Sequence, residues 1–371
     1  MIGLEMRRKK LVRNPLFTLR TRLIDKAARM VPVAVYRRLM ESRFINFGVE
    51  TTNICNADCT FCGYRFMERR KTVMEWELYE KAIREFADNG GGSINFTPTV
   101  GDPLVDKHII RKIRHARAQP SITSAMLYTN GILLHRFGLD ELLTSGLTRL
   151  AISTYIGSRE GYKHYYGKDK YETVVRNIDA IGRRNKELGS PVLITLHLRI
   201  ARDEADWKQT EEYRRFEDLF GGSNISFLES YDAWSGRIQE EDLPTGCEIS
   251  ECLPVSVKKK SPCFELYRRL HVLADGNVGA CICTDLESEI KIGNIKEQSL
   301  QEIWQGERLA KYRSDWLNGD LPEVCKTCTR YTPVEQFIAE NPKRILVDYL
   351  RRVAPWLFAA RRRMQINDND Y

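Results

Sequence analysis

The sequence predicts an α/β fold: a set of parallel strands with helices outside, followed by a small cysteine-rich module. Three observations carry this. From residue 45 to about 228, apolar β-branched runs alternate with amphipathic stretches of helical period, the pattern of strand–helix repeats. Six such repeats occur in succession, which requires parallel strands joined by helical crossovers. After a polar, proline-broken stretch at 237–262, the cysteines concentrate again.

The elements follow in order. Asn14-Pro15 reads as a helix cap and first turn, and Leu16, Leu19, Leu23, Ala27 and Met30 recur at helical spacing until Pro32. Val33 to Met40 reads as a second short helix. The strands are expected at Asn46–Glu50, Ser93–Thr97, Ser124–Tyr128, Arg149–Ile152, Val192–Leu198 and Ile225–Leu228. The helices between them are expected at Glu75–Asp88, Lys107–Ala118, Leu139–Ser145, Tyr171–Leu188 and Ala205–Phe220. Periodicity does not say whether the strands close on themselves. Later, Ser299–Arg308 reads as a helix, and the tail from Lys343 is basic and amphipathic. The expected organisation is a basic helical extension at 1–44, the strand–helix domain at 45–236, a linker at 237–262, a cysteine module at 263–334 and a tail at 335–371.

With 42% hydrophobic and 29% charged residues, the body is expected to be a packed globular enzyme. No apolar run reaches the roughly 18 residues of a membrane span, and no secretory leader is evident. The expected compartment is the reducing cytoplasm, where ten cysteines point to metal or redox chemistry rather than disulfides. The net charge of +8 is uneven: residues 1–40 carry +9 and residues 343–363 carry +6, leaving −7 on the rest. An acidic body argues against a nucleic-acid groove. The basic ends, with Trp356, Leu357 and Phe358 beside Arg361, Arg362 and Arg363, have the composition of helices lying in a membrane interface. Terminal helices docked on the body of the fold have the same composition.

Cys55, Cys59 and Cys62 fall directly after the first expected strand, in a loop. Cysteine thiolates are the usual ligands of iron–sulfur clusters, and three of them on a four-iron cube leave one iron open to a small chelating molecule. A zinc knot is the alternative. It needs a fourth ligand, and no second pair or histidine follows within about 40 residues.

The motif Cys-x3-Cys-x-aromatic-Cys resembles that of the radical S-adenosylmethionine (SAM) superfamily, over about residues 45–236. Val100-Gly101-Asp102-Pro103 resembles the family's Gly-Gly-Glu-Pro segment, with Val for Gly and a shorter acid. Tyr128-Thr129-Asn130-Gly131 resembles its Thr-Asn-Gly, and Ile152-Ser153 its Ile-Ser. Each match ends a successive strand, where parallel α/β folds bind ligands. The resemblance implies a partial (β/α)6 TIM-like barrel. It also implies a SAM-binding [4Fe–4S] cluster on Cys55, Cys59 and Cys62, and SAM contacts from Phe61, Gly101, Asp102, Asn130 and Ser153. Alternation places His197 and Arg199 on one strand face, with Arg199 a candidate partner for the SAM carboxylate.

Cys263, Gly276, Cys281 and the pair Cys325 and Cys328 resemble the C-terminal module called SPASM, or its shorter relative twitch. No further cysteine follows the pair, so the resemblance implies one auxiliary cluster on Cys263, Cys281, Cys325 and Cys328. Cys283 competes with Cys281, since on a strand both would share a face. A zinc ribbon-like site on the same residues is the alternative. Cys247 and Cys252 lie in the linker, where a thiol could donate hydrogen to a substrate radical, and Cys247 is the candidate. Trp234 is a candidate lining residue. The implied cofactors are two [4Fe–4S] clusters and SAM. The implied partners are a small-molecule substrate and a reductant such as flavodoxin or ferredoxin. The implied reaction is hydrogen abstraction from a small polar substrate, resembling a sugar, cyclitol or aminoglycoside, with oxidation or epimerisation as outcome. Peptide or protein modification is the alternative.

Overall fold

The structure is a computed structural model that describes residues 26–44, 46–200, 204–250 and 261–353. The expected helix at 15–31 falls mostly outside these residues, as do Cys252 and much of the basic tail. Glu41–Val334 forms one compact unit, and the described residues on either side of it form a second. In that second unit, Tyr36 donates to the carbonyl of Ala28 at 2.7 Å, and Arg37 pairs with Glu335. No helix among the described residues is long and apolar enough to cross a membrane.

The main unit is built on a nine-stranded sheet. Its first six strands are β1 (Asn46–Val49), β2 (Gly92–Asn95), β3 (Ile122–Thr129), β4 (Arg149–Tyr155), β5 (Leu193–Arg199) and β6 (Ile225–Phe227). They lie side by side in chain order and are parallel throughout. All six expected strands are present. The alternation that predicted β5 is visible in its burial, with Ile194, Leu196 and Leu198 buried and the residues between them half-buried. A short parallel pair follows, β7 (Ser230–Tyr231) with β8 (Glu248–Ile249).

The cysteine module does not stand apart from this sheet. Its strands β9 (Arg269–Val272), β10 (Asn277–Gly279) and β11 (Lys291–Asn294) extend it beyond β1, giving the order β11-β10-β9-β1-β2-β3-β4-β5-β6. β9 runs parallel to β1, with Phe47 opposite Leu270 and Gly48 opposite His271. The order has two ends, so the described strands form an open sheet.

Apolar side chains fasten helices to one face. Phe47 of β1 stacks on Phe86 of helix Trp76–Asp88 with ring centroids 4.4 Å apart, and Phe44 meets the edge of buried Trp304 at 5.8 Å. Aromatic pairs of this kind contribute roughly 0.5–1.5 kcal/mol beyond the area they bury.

The helices differ from expectation in three places. Ala205–Phe220 is two helices, Glu204–Lys208 and Glu211–Phe220. Thr210 separates them, its hydroxyl donating to the carbonyl of Trp207 and accepting from the amide of Tyr213. Ser299–Arg308 is also two helices, Leu300–Gln305 and Glu307–Leu317, with extended Gly306 between them. Helix Arg159–Tyr166, capped by Ser158, was not anticipated.

Candidate functional site

The site is built from the C-terminal ends of β1 to β5 and the loops beyond them. After β1 the chain leaves the sheet and carries Cys55, Cys59 and Cys62 on one loop. Cys62 caps a single 3-10 turn, its sulfur accepting from the amide of Tyr64. After β2 comes Gly101, with φ +125°, where an added Cβ would lie 2.9 Å from the backbone of Asn53. Only glycine lets this loop press against the strand end before the cysteines. Asp102 then ties two loops together. Its carboxylate accepts from the amide of Leu104 at 2.9 Å, the amide of Asn130 at 2.8 Å and the hydroxyl of Thr129 at 2.9 Å. The Thr129 hydroxyl also reaches the other oxygen at 3.1 Å, so each carboxylate oxygen accepts two bonds. Burial holds the Asp102 carboxyl above its ordinary range, against the pull of those donors.

Asn130 reaches the cysteine loop itself. Its amide donates to Asn56 at 2.9 Å and lies 3.9 Å from the sulfur of Cys55. The Asn56 Nδ2 is buried with no acceptor among the described residues. Burial, with the charge of Asp102, pushes the Cys55 thiol up to about 12. Cys59 and Cys62 are also raised by burial, and the Arg199 charge pulls both the other way.

Arg199, at the end of β5, donates to the hydroxyl of Ser153 at 2.7 Å and lies 4.5 Å from the ring centroid of Phe61. Phe61 in turn meets the rings of Tyr166 at 5.5 Å and Tyr231 at 5.4 Å. Arg199 has no carboxylate partner among the described residues, and its buried Nε has no acceptor there. The half-buried His197 shares its strand face, as alternation predicted, stacking on Tyr128 with centroids 5.5 Å apart and bonding Ser226 at 2.9 Å.

Thus Phe61, Gly101, Asp102, Asn130, Ser153 and Arg199 converge on the cysteine loop. Sequence reasoning missed Asn56, Tyr166 and Tyr231. Asn56 lies inside the motif and was open to notice. The two tyrosines are placed by an unanticipated helix and by a two-residue strand.

Trp234, at φ +49°, packs with Cys62 and Tyr64 on the cluster of Met67, Val100 and Leu286. A Cβ on Gly63 would overlap its ring. Trp234 therefore braces the loop after Cys62. Cys247 is half-buried, its thiol 3.6 Å from the carbonyl of Leu228 and beside Tyr231.

In the module, Cys263, Cys281, Cys325 and Cys328 lie within one another's electrostatic reach. Burial raises the Cys263 and Cys325 thiols and takes that of Cys328 to about 11. Cys281 and Cys283 are not on a strand, because β10 ends at Gly279. The chain bends so that the Cys283 amide donates to the Cys281 sulfur at 3.3 Å. Cys281 is the thiol of the two whose charge bears on Cys263, Cys325 and Cys328.

Among the described residues, no three His, Cys, Asp or Glu side chains are arranged to hold a metal ion. Thiolates on an iron–sulfur cube bind separate irons and stand further apart than ligands of one ion. The donor set suits such a cluster. The unpartnered Arg199 Nε and Asn56 Nδ2 suit a bound molecule that brings acceptors.

Comparisons with known proteins agree with this geometry. Residues 49–210 match the model of the radical SAM superfamily, and residues 263–329 match SPASM, an iron–sulfur cluster-binding domain. The chain is 30% identical over 133 residues to GTP 3′,8-cyclase of Chlorobaculum tepidum, covering 36% of this chain and 39% of that protein. The alignment thus spans well under half of that relative. It is 23% identical over 304 residues to the PqqA peptide cyclase of Xanthomonas axonopodis pv. citri, covering 76% of this chain and 79% of the relative. Among solved structures, BtrN in complex with AdoMet and 2-DOIA aligns at TM-score 0.52 and 19% identity, covering 77% of this chain and 92% of BtrN. SuiB of Streptococcus suis bound to precursor peptide SuiA aligns at TM-score 0.53 and 14% identity, covering 92% and 82%. At these identities the two structures speak to the fold alone. The first matched domain implies SAM and a SAM-binding [4Fe–4S] cluster, and the second implies auxiliary iron–sulfur binding. The chain carries a radical SAM domain followed by a C-terminal SPASM module.

Proposed function

We propose that this chain is an enzyme that abstracts hydrogen from a small polar substrate of the sugar, cyclitol or aminoglycoside type, giving oxidation or epimerisation. The observation that carries this is the convergence of Phe61, Asp102, Asn130, Ser153 and Arg199 on the loop of Cys55, Cys59 and Cys62. When bound, the cluster and SAM would supply a 5′-deoxyadenosyl radical through one-electron cleavage of the C5′–S bond.

The three cysteines hold the cluster as thiolates. Arg199 takes the SAM carboxylate, and Asp102, with the backbone at Gly101, takes its amino group. Asn130 holds Asn56 and the loop in register, Ser153 positions Arg199 and contacts the ribose, and Phe61 covers the adenine. Cys263, Cys281, Cys325 and Cys328 hold one auxiliary cluster. Residues 45–236 and 263–334 are the two working domains, served by a reductant such as flavodoxin or ferredoxin. The exposed Met30, Val33 and Val35 beside Lys26 and Arg29 support peripheral contact of the basic end with an anionic membrane.

For epimerisation, Cys247 donates a hydrogen atom to the substrate carbon radical, and an electron and a proton from the reductant restore the thiol. The position of Cys247 beside Tyr231, whose ring touches Phe61, supports this role. Peptide modification is the second reading, supported by the similarity to PqqA peptide cyclase over most of both chains. The test is incubation with carbon-deuterated sugars, cyclitols and peptides, followed by mass spectrometry of 5′-deoxyadenosine. Label from a small polar substrate, and solvent deuterium in a product that depends on Cys247, are expected for epimerisation. Label arriving only from a peptide would overturn the first reading.

A further inference from the structure

A cavity of about 590 Å3 opens beside the cysteine loop, lined among others by Cys55, Asn56, Asp58, Arg65, Lys71 and Lys168. Three of these are cations and one is an acid. Three cations against one acid on a concave wall focus positive potential into the site.

The two lysines are uncommitted. Lys71 rests 5.0 Å from the ring centroid of Tyr64, and neither Lys71 nor Lys168 has a carboxylate in ion-pairing range among the described residues. Arg65 donates through one nitrogen to the carbonyl of Thr60 at 3.3 Å and to Asp242 at 3.4 Å. Lys168 is held at the loop by Gly167, with φ +62°, where an added Cβ would come 2.8 Å from the carbonyl of Asp58.

We propose that this cavity receives a phosphoryl group of the substrate, held by Arg65, Lys71 and Lys168. Donors arriving from two ammonium groups and a guanidinium suit a tetrahedral, multiply charged oxyanion with oxygens on every side. The inference rests on the functional reading above and narrows it, to phosphorylated sugars, phosphorylated cyclitols or nucleotides. Amine-bearing substrates match a cationic wall poorly.

The experiment is calorimetric titration of the anaerobically reconstituted full chain, with SAM present, using inorganic pyrophosphate as probe. Saturable one-to-one binding is expected. It should weaken tenfold or more in Lys71→Ala/Lys168→Ala, both exposed positions, and hold in Lys311→Ala, a distant exposed lysine paired with Asp315. No saturable binding, or equal binding by the double variant as for an adventitious ion only, would overturn the proposal. Malonate binding as tightly as pyrophosphate would overturn the phosphoryl assignment. Conversion of SAM to 5′-deoxyadenosine by the same unaltered preparation is followed in parallel. Its absence counts against the functional reading, whereas pyrophosphate binding decides this inference separately.

Discussion

The Arg199 guanidinium lies 4.5 Å from the Phe61 ring centroid and donates to Ser153 at 2.7 Å, with its Nε unpartnered. One residue of the cysteine motif and the ends of two strands thus meet around a cation that has no carboxylate among the described residues. Replacing Arg199 by Lys keeps the charge and removes the planar fork and its stacking. A charged hydrogen bond contributes about 1.5–3 kcal/mol, so SAM affinity should fall by at least about tenfold. Titration of the SAM-induced change in the cluster's spectrum checks this. Unaltered affinity in Arg199→Lys would remove Arg199 from the SAM site.

The auxiliary site offers a choice between two neighbouring thiols. Cys281 lies in electrostatic reach of Cys263, Cys325 and Cys328, and Cys283 meets it through an amide hydrogen bond to its sulfur. Cys281→Ala should therefore lose about four irons on reconstitution, and Cys283→Ala should keep them. The reverse pattern would exchange the two assignments.

Gly48 and His271 are opposed across the β1–β9 pairing, and a Cβ at position 48 would overlap the imidazole. Gly48→Ala should cost about 1–3 kcal/mol by overpacking, and His271→Ala should relieve most of that loss in the double variant. Urea unfolding of the four proteins of the cycle measures it. Strictly additive losses would refute the contact.

The same histidine predicts an acid sensitivity. His271 is fully buried, both ring nitrogens lack partners among the described residues, and burial, then the charges of Arg269 and Arg69, hold its pKa down to about 3. Between that value and the ordinary 6.5, the unfolded chain binds a proton that the native chain refuses. Stability therefore rises with pH across this window. The contribution is fully present above about 6.5 and is lost progressively as pH falls toward 3. Moving from about pH 7 to about pH 5 should lower the urea midpoint more in the unaltered chain than in His271→Gln. Equal losses would show that His271 is not the group responsible.

Local pattern carried much of this fold. The run Val192 to Leu198 alternates in the sequence and in the structure because one period decides both. The motif residues were readable because each sits at a strand end that the same pattern located. Thr210 escaped because the helical period runs on across it, although threonine is favoured as a cap and not inside a helix, and its bonds to Trp207 and Tyr213 make the break. The pairing of Phe47 with Leu270 escaped for another reason. It joins segments far apart in the chain, and no local period encodes which strand edge a later strand will choose. The Arg199–Phe61 contact is of the same long-range kind, so alternation placed Arg199 on the correct face without identifying its neighbour.

The central claim is that Cys55, Cys59 and Cys62 hold a cluster that cleaves SAM. The most direct measurement is iron, sulfide and 5′-deoxyadenosine in the anaerobically reconstituted chain and in the variant with all three cysteines changed to Ala. The unaltered chain should hold about eight irons and eight sulfides and convert SAM to 5′-deoxyadenosine, whereas the variant should hold about four of each and form none. SAM cleavage at the unaltered rate in the triple variant would contradict the account.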